Sequence, residues 1–283
     1  MLQDIEPLRL RNQFVPDAVA RPDDFLFHFR HDSVLVAGDG ESWGEIASTL
    51  PRVGDAAPGT DLVRLFAIGD MEFWGCPADE CEVAGAHAYV SLRDVRRRPG
   101  VERALVFASF SAYQLLRWYR HNLFCGRCGH PTRLARDERA IDCPACGRRI
   151  YPKVQPAVII GVTDGDRLLM TRYADRPQSS YALVAGFTEF GETLEQTVER
   201  EVMEEVGLRV GNIRYYKSQP WGIASDILAG FYCDVVGPSE VRLDPRELRE
   251  ATWFSRYEIE GQGDDMSLTG EMMLTFRDGR EPR

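Results

Sequence analysis

The chain has 283 residues, of which 44% are hydrophobic, and it carries a formal net charge of −10. That length suits two domains, and that hydrophobic fraction supports well-packed cores. An acidic balance argues against a general nucleic-acid binder, because a phosphate backbone requires a basic face. There is no run of about 18 apolar residues, so we expect no membrane span. The N-terminal stretch MLQDIEPLRLRNQF has early acids and no apolar core, so we expect no secretory signal.

Charge and cysteine are distributed unevenly along the chain. Residues 93–153 contain 14 Lys or Arg and 5 Asp or Glu, which places +9 on this segment and −19 on the remainder. The basic segment could meet an anionic dinucleotide or an RNA, or it could be a solvated surface. Seven cysteines, an odd number without a secretory signal, indicate reduced thiols in the cytoplasm and a candidate metal site.

Residues 1–121 are predicted to form a first domain of short strands closed by a helix. Strand candidates lie at 24–30, 33–38, 61–70 and 86–92, and the first two read as a hairpin. Apolar residues at helical spacing predict the helix over 101–121. No catalytic constellation is visible here. The scattered His28, His31 and His87 are expected to be structural or exposed, and Cys76 and Cys81 to be buried or incidental thiols.

Residues 122–150 contain two CxxC pairs, and 14 residues separate Cys125 and Cys128 from Cys143 and Cys146. Each pair places two thiolates on a tight turn, and two pairs complete a tetrahedral shell for Zn²⁺. So short a segment requires the metal for its folding free energy. A thioredoxin-like redox pair is the alternative, but its βαβ context is missing. Four thiolates leave no open position, so we predict a structural zinc ribbon that does not use His130.

Residues 151–283 are predicted to form a further domain, with a mixed sheet covered on both faces. Strand candidates lie at 156–163, 167–173, 181–187, 210–221, 226–236 and 250–259. A helix follows the third strand, and a second helix over 266–276 closes the chain. Cys233 falls within a strand and is predicted to be a core thiol.

The stretch that follows residue 181 combines a glycine-containing loop with an acidic helix. Gly186 and Gly191 permit a tight, phosphate-sized loop. Apolar residues at every fourth position then form one stripe of a helix: Leu194, Val198, Val202 and Val206. Three carboxylates gather on another face: Glu201, Glu204 and Glu205. Each close pair costs about 0.2–0.5 kcal/mol, and Mg²⁺ or Mn²⁺ removes that cost. The alternative is a solvated acidic face.

The spacing of this stretch matches the Nudix box, G-x5-E-x7-R-E-U-x-E-E-x-G-U with U aliphatic, at every defined position from Gly186 to Leu208. The chain therefore resembles the Nudix hydrolases. The resemblance implies hydrolysis of a nucleoside diphosphate linked to another group, and an α/β/α sandwich. It also implies that Glu201, Glu204 and Glu205 are catalytic metal ligands, with Glu205 the leading candidate for general base. Arg200 and Glu192 are expected to brace the loop by an ion pair.

Three further features point to one branch of that family. The cysteine segment lies immediately before the box domain, YPKVQPAVI (151–159) opens that domain, and SQPW (218–221) follows the box by ten residues. From about residue 124 to residue 254 the chain resembles the NADH pyrophosphatases, whose members also remove NAD caps from RNA. The resemblance implies that the first domain is a degenerate Nudix-like α/β fold and that the protein is a homodimer. It also implies structural Zn²⁺ and catalytic Mg²⁺ or Mn²⁺.

The same resemblance implies dinucleotide contacts outside the box: Glu138, Tyr151, Phe187, Gln219, Pro220, Trp221, Asp226 and Thr269. Glu247 is implied to be a further ligand of the Mg²⁺ or Mn²⁺. Aromatic stacking on nicotinamide is worth on the order of 1–3 kcal/mol per base, although core packing is the alternative for these rings. Two departures stand out. Gly222, Ile223 and Ala224 replace Pro-Phe-Pro, and Asp226 replaces a serine, which adds negative charge near an anionic ligand.

The sequence thus predicts an α/β enzyme that hydrolyses the pyrophosphate of NAD(H) to NMN(H) and AMP and removes NAD caps from RNA 5′ ends. Two alternatives remain open. One is a Nudix hydrolase of another nucleoside diphosphate, such as ADP-ribose, a diadenosine polyphosphate or FAD. The other is an RNA-binding protein that uses the zinc ribbon and the basic segment.

Overall fold

The structure is a computed structural model that describes residues 1–41, 44–174, 180–261 and 265–282. The chain divides into two compact units. One, here the box unit, comprises Met1–Leu2, Val154–Trp221 and Asp226–Arg283; the other, here the ribbon unit, comprises Gln3–Lys153 and Gly222–Ser225. The finer division into domains at 1–121, 122–150 and 151–283 stays a prediction.

The ribbon unit is built from short elements. Its described strands are β1 (Leu10–Arg11), β2 (Phe25–Phe27), β3 (Phe29–Arg30), β4 (Ser33–Ala37), β5 (Val63–Ile68), β6 (Met71–Gly75), β7 (His87–Ser91), β8 (Arg133–Leu134), β9 (Ile141–Asp142) and β10 (Arg149–Ile150). Its described helices are α1 (Ile46–Thr49), α2 (Leu92–Arg97) and α3 (Arg103–His121), with a 3-10 turn at Val53–Asp55. The strands form three sheets, in the orders β1-β5-β6-β2, β3-β4-β7 and β10-β9-β8.

The predicted hairpin between 24–30 and 33–38 is confirmed only for the second half of its first strand. β3 pairs antiparallel with β4, whereas β2 pairs in parallel with β6 in another sheet. The chain passes from one sheet to the other at His28, which is fully buried. Its ring nitrogens lie 2.7 Å from the Tyr89 hydroxyl and 3.1 Å from the Ala78 carbonyl. The prediction that His28 is structural is therefore confirmed.

The box unit is organised around one large sheet. Its described strands are β11 (Gln155–Asp164), β12 (Arg167–Tyr173), β13 (Val184–Phe187), β14 (Val210–Trp221), β15 (Asp226–Val235) and β16 (Leu248–Ser255). Its described helices are α4 (Leu194–Val206) and α5 (Leu268–Arg277), with a 3-10 turn at Arg256–Glu258. The order is β14-β15-β11-β12-β16, and β13 also pairs with β11. β11 and β15 are parallel and the other ladders of this sheet are antiparallel, so the sheet is mixed.

Alternation along β11 assigns its side chains to the two faces of the sheet. Val158 and Ile160 pack in one apolar core with Val198 and Val202 of α4. Ile159 packs in a second core that includes residues of α5. A mixed sheet with a helix on each face confirms the predicted α/β/α sandwich. Cys233 lies in the first core, and burial raises the pKa of its thiol to about 12, as suits a core residue.

Two predicted elements are shorter than expected. The strand predicted at 181–187 is regular only from Val184, because Ala182 makes an isolated bridge to Thr171 of β12. The strand predicted at 250–259 ends at Ser255, whose backbone amide donates to the Glu258 carboxylate as the chain turns. Both changes lie at the ends of elements and leave the sheet order intact.

Among the described residues, the helices include none that combines the length and the apolar character needed to cross a bilayer.

Candidate functional site

The Nudix box forms a loop and a helix at the edge of β13. The Thr193 hydroxyl accepts from the Gln196 amide, and the Gln196 side chain accepts from the Thr193 amide, so a capping box starts α4. Gly207 ends the helix in the left-handed region, at φ 68°, where glycine is favoured. Val198, Val202 and the last residue of the helix are fully buried, which confirms the apolar stripe.

Gly186 lets the first box carboxylate lie against the loop backbone. A Cβ at this position would lie 2.0 Å from the Glu201 carboxylate, closer than any nonbonded contact allows. Glu201 is accordingly only 8% exposed. The box therefore requires glycine here for close approach to a side chain.

Arg200 links the loop to the helix. Its Nε donates to Glu192 over 2.6 Å, and its Nη2 donates to the Phe187 carbonyl over 2.8 Å. The structure thus contains the expected brace, and the Arg200 hydrogen bonds lower the pKa of Glu192 to about 2. The same guanidinium also donates from Nη1 to Glu201, over 2.8 Å, and to Glu204, over 3.0 Å. These two additional pairings were not predicted from the sequence.

Glu205 is the least compensated acid of the box. It is 2% exposed, and its Oε2 has no hydrogen-bond partner among the described residues. Burial, followed by the charges of Glu201 and Glu247, raises its pKa to about 8, although a hydrogen bond with the Ala185 backbone acts in the opposite direction. No side-chain pattern reveals a backbone contact of this kind, so the sequence could not predict the role of Ala185.

Glu247 is brought toward the box by the loop that precedes β16. The Asp244 amide of this loop donates to the Glu205 carbonyl over 2.9 Å, at the end of α4. The negative charge of Glu247 contributes to the raised pKa of both Glu201 and Glu205. An acid implied only by the family resemblance is therefore electrostatically coupled to two acids of the box.

These residues suit a divalent cation. A buried carboxylate oxygen without a partner, among like charges, is an unfavourable arrangement that a hard cation with oxygen ligands relieves. The acids are nonetheless not clustered as a closed cage. Among the described side chains, only the four cysteines form a group of three or more Cys, His, Asp or Glu compact enough for one metal ion. Arg200 instead holds Glu201 and Glu204.

The predicted dinucleotide contacts of the box unit fall into an exposed group and a buried group. Phe187 is half exposed at the end of β13, and Trp221, next to Pro220, is partly exposed at the end of β14. Asp226, at the start of β15, is 4% exposed and lies opposite Trp221. The departure from serine therefore places a carboxyl group in a buried position.

Gln219 is fully buried, and its side chain forms hydrogen bonds with the backbone around the start of α5. Its Nε2 donates to the Met266 carbonyl and its Oε1 accepts from the Leu268 amide, each over 2.8 Å. Thr269 lies in the first turn of that helix and is partly buried. In this structure, the Gln219 amide positions the segment that carries Thr269.

Glu138 and Tyr151 belong to the ribbon unit, where they contact each other. The Tyr151 hydroxyl donates to Glu138 Oε1 over 3.0 Å, and Arg149 donates to the same oxygen over 2.6 Å. The aromatic ring remains 53% exposed. Two residues that the resemblance implied near the substrate are therefore neighbours, although 13 positions separate them in the sequence.

The turn Gly222–Ser225 explains the first departure from the family pattern. A Cβ on Gly222 would lie 2.1 Å from the Phe110 carbonyl oxygen of α3. Arg117, also on α3, donates to the Ile223 carbonyl over 3.0 Å and to the Ser225 hydroxyl over 2.5 Å. Glycine is required by this close packing, and Arg117 is a residue that the sequence alone did not single out.

The four cysteines of the ribbon form two equivalent knuckles. In the first, the Cys125 amide donates to the His130 carbonyl, and the Gly129 amide donates to the Cys125 carbonyl. The second repeats this pattern with Cys143, Gly147 and Arg148. The four sulfurs lie within 4.8 Å of one another, with paired Sγ···Sγ distances of 3.7 Å and 3.5 Å. Tetrahedral Zn–S bonds of about 2.3 Å give a sulfur separation of about 3.8 Å, so this set suits a structural Zn²⁺.

Comparisons with known proteins agree with both parts of the site. A family described as NUDIX domain matches residues 153–271, and one described as NADH pyrophosphatase zinc ribbon domain matches residues 120–151. The latter supports zinc as the metal of the four cysteines.

Three curated relatives with similar sequences carry the name NAD-capped RNA hydrolase NudC. The protein of Actinobacillus succinogenes is 39% identical over 194 residues, which is 66% of this chain and 72% of that protein. The proteins of Salmonella heidelberg and Salmonella typhimurium are 41% and 37% identical over 51% and 61% of this chain, and the chain covers 56% and 66% of their respective lengths.

Proposed function

Because the chain belongs to the NudC family of Nudix hydrolases, we propose that it hydrolyses the pyrophosphate of NAD(H) to NMN(H) and AMP, and that it removes NAD caps from RNA. The observation that carries this proposal is the buried, unpartnered carboxylate oxygen of Glu205 in a complete Nudix box. The zinc ribbon and the name shared by the relatives support the choice of substrate.

We assign the catalytic metal to Mg²⁺ or Mn²⁺, held by Glu201, Glu204, Glu205 and Glu247. Glu204 is exposed and Glu247 lies on the loop beside α4, so both are accessible from solvent. Arg200 occupies one oxygen of Glu201 and one of Glu204, so the second oxygen of each carboxylate is the one proposed to bind the metal, while Glu192 remains a partner of Arg200. When bound, the cation neutralises the diphosphate and makes a nearby water more acidic.

The acid–base step belongs to Glu205. Water adds to one phosphorus, its proton moves to a carboxylate oxygen of Glu205 that does not hold the metal, and the bridging P–O bond breaks with its electron pair on the departing phosphate. Burial and the charges of Glu201 and Glu247 raise the pKa of Glu205 in the metal-free site; a bound cation would offset those charges and leave the carboxylate ionised and able to accept a proton. The half-exposed ring of Phe187 and the partly exposed ring of Trp221 provide faces on which nicotinamide stacks.

Tyr151 and Glu138 are proposed to contact the same substrate, with Gln219, Pro220, Asp226 and Thr269 shaping its surroundings. The family resemblance further supports a homodimer and a cytoplasmic location as proposals. The role proposed for Glu205 does not depend on a contact between subunits.

The direct test is a timed assay of NADH, NAD⁺, ADP-ribose, FAD, a diadenosine polyphosphate and NAD-capped RNA with Mg²⁺ or Mn²⁺. The proposal predicts that release of NMNH and AMP from NADH, or of NMN from the capped RNA, exceeds the turnover of ADP-ribose. Faster cleavage of ADP-ribose, FAD or a diadenosine polyphosphate would assign the box to another substrate. Tight binding of uncapped RNA without any hydrolysis would support an RNA-binding protein instead.

A further inference from the structure

The ribbon unit contains a cavity, distinct from the box, that has an arginine without a counter-charge. The cavity has a volume of about 200 Å³. Its walls include Val63, Trp74, Tyr119, Leu134, Arg136 and Arg139. Arg64 also lines it, so apolar and aromatic surface is combined with three guanidinium groups in one partly open cavity.

Arg139 is only partly satisfied by the protein. Its Nη2 donates to the Leu65 carbonyl over 2.8 Å and to the Asn12 carbonyl over 3.2 Å. Its Nη1 is buried and has no hydrogen-bond partner in the part of the chain that the structure describes. Within the same described residues, no carboxylate lies within ion-pair distance of this guanidinium.

The other charged groups around the cavity do not supply the missing negative charge. Arg64 is paired with Glu72 over 2.9 Å, and Glu138 is paired with Arg149 over 2.6 Å. Asp17 lines the cavity but is exposed. Burial, together with the neighbouring positive charge of Arg64, lowers the pKa of Arg139 despite the opposing influence of Tyr119. The guanidinium is thus held in an environment that penalises its charge.

Water alone is a weaker explanation of this arrangement than an anion. A water molecule would accept one hydrogen bond from Nη1, but it would leave the charge of Arg139 uncompensated. The cavity also has several times the roughly 30 Å³ that one water occupies in the liquid. A carboxylate or a phosphate in the cavity can compensate the charge of Arg139, since its oxygens match the guanidinium fork.

We propose that this cavity is a binding site for a small molecule bearing a phosphate or carboxylate group, anchored by Arg139 with Arg136 as a second cation and with Trp74 and Leu134 against its body. Pockets for drug-sized ligands start at about 300 Å³, so this one suits a compact anion and excludes a whole dinucleotide. Glu138, which is proposed above to contact NAD(H), also lines this cavity, but a whole dinucleotide does not fit in it.

Isothermal titration of the zinc-loaded full chain, without added Mg²⁺ or Mn²⁺, tests the proposal. Inorganic phosphate is used in one arm and acetate in the other, so that the two chemistries are distinguished. We expect one site per chain with a Kd below about 1 mM in at least one arm. Arg139→Gln should weaken that binding at least tenfold, and Arg139→Lys should weaken it less, because lysine keeps the charge but loses the planar fork.

Arg133→Gln is the matched control. Arg133 lies nearby in sequence, is exposed, and does not line the cavity, so its variant should bind like the wild type. The proposal is overturned if neither arm reaches the stated Kd, or if Arg139→Gln binds as tightly as the wild type. If both Arg139 variants fail to fold, a crystal structure of the wild type grown with phosphate decides the question. A phosphate in contact with the Arg139 guanidinium supports the site, and a cavity that holds only water overturns it.

Discussion

The two metal-binding regions of this chain differ in how far the protein has assembled them. The four sulfurs of the ribbon lie within 4.8 Å of one another, on knuckles fixed by repeated backbone hydrogen bonds. The acids of the box are not gathered in this way. Arg200 pairs with two of them, and Glu205 is buried without a partner for one oxygen. The difference suits a closed structural site in one region and, as proposed above, an open catalytic site that substrate and metal complete together in the other.

The largest expected effect is loss of the assembled site. Cys143→Ser removes one of four ligands, and structural zinc contributes about 10–16 kcal/mol of apparent binding free energy in small domains. We expect zinc content near zero and rapid proteolysis within residues 122–150. Cys81→Ser, outside the quartet, is the control and should retain full zinc. Retention of stoichiometric zinc by Cys143→Ser would show that the four cysteines are not a closed structural zinc site.

The box should respond in the opposite way: loss of one of its acids should lower activity without lowering stability. Glu205→Gln removes the proton acceptor and should lower kcat by about 10²–10⁴-fold. It also removes an acid whose burial disfavours the ionised form, so the unfolding free energy of the metal-free protein should be unchanged or higher by about 1–2 kcal/mol. Glu199→Gln, on an exposed position of the same helix, is the matched control for both measurements. A variant that loses stability along with activity would indicate a structural role for Glu205.

Close packing in the loop should affect catalysis more than folding. Gly186→Ala places a methyl group where the Glu201 carboxylate lies. Displacement of that carboxylate by about 1 Å should lower kcat by about 10²-fold, measured as NMNH release. At Gly44, the nearest atom to an added Cβ is 3.8 Å away, so Gly44→Ala should be fully active. Equal activity of the two variants would show that the position of Glu201 does not matter.

The smallest expected effect is that of Asp234, whose two carboxylate oxygens both accept hydrogen bonds, unlike those of Glu205. Burial alone would raise the pKa of Asp234, but hydrogen bonds from Arg214, Asn212 and Thr163 lower it to about 2. A lowered folded-state pKa stabilises the protein above the unfolded value of about 3.9, and that contribution is lost as pH falls toward 2. Asp234→Asn should therefore lower stability by about 1 kcal/mol at neutral pH.

Thermal unfolding between pH 7 and about pH 2 measures this difference. The difference in unfolding temperature between the wild type and Asp234→Asn should become smaller as the pH falls toward 2. Asp166→Asn, at an exposed turn position, should follow the wild type throughout. A gap that stays constant with pH would mean that ionisation of Asp234 contributes nothing.

Motif spacing predicted both metal regions well, because each motif fixes chemistry over a short stretch of chain. The helix from Leu194 to Val206, its glycine end and the four cysteines all follow from local periodicity and turn chemistry. The sheet could also be anticipated, since β12 and β14 were predicted at their observed bounds and β11 differs from its prediction by one residue at each end.

What the sequence missed depends on contacts between distant residues. The change of sheets at His28 rests on partners about 50 and 61 positions away. Arg117 holds a turn more than 100 positions later, and Gly222 is required by a carbonyl of the same helix. The pairing of Arg200 with Glu201 and Glu204 is a choice among competing partners, which spacing alone leaves open.

The most direct test of the central proposal is anomalous diffraction from crystals that contain Mn²⁺ and a non-cleavable NAD analogue. We predict a manganese peak in contact with Glu205, with Glu201 or Glu247, and with the pyrophosphate oxygens, while Arg200 retains Glu192. A bound analogue without manganese at these carboxylates, or manganese bound only elsewhere, would contradict the assignment of the box as the catalytic centre.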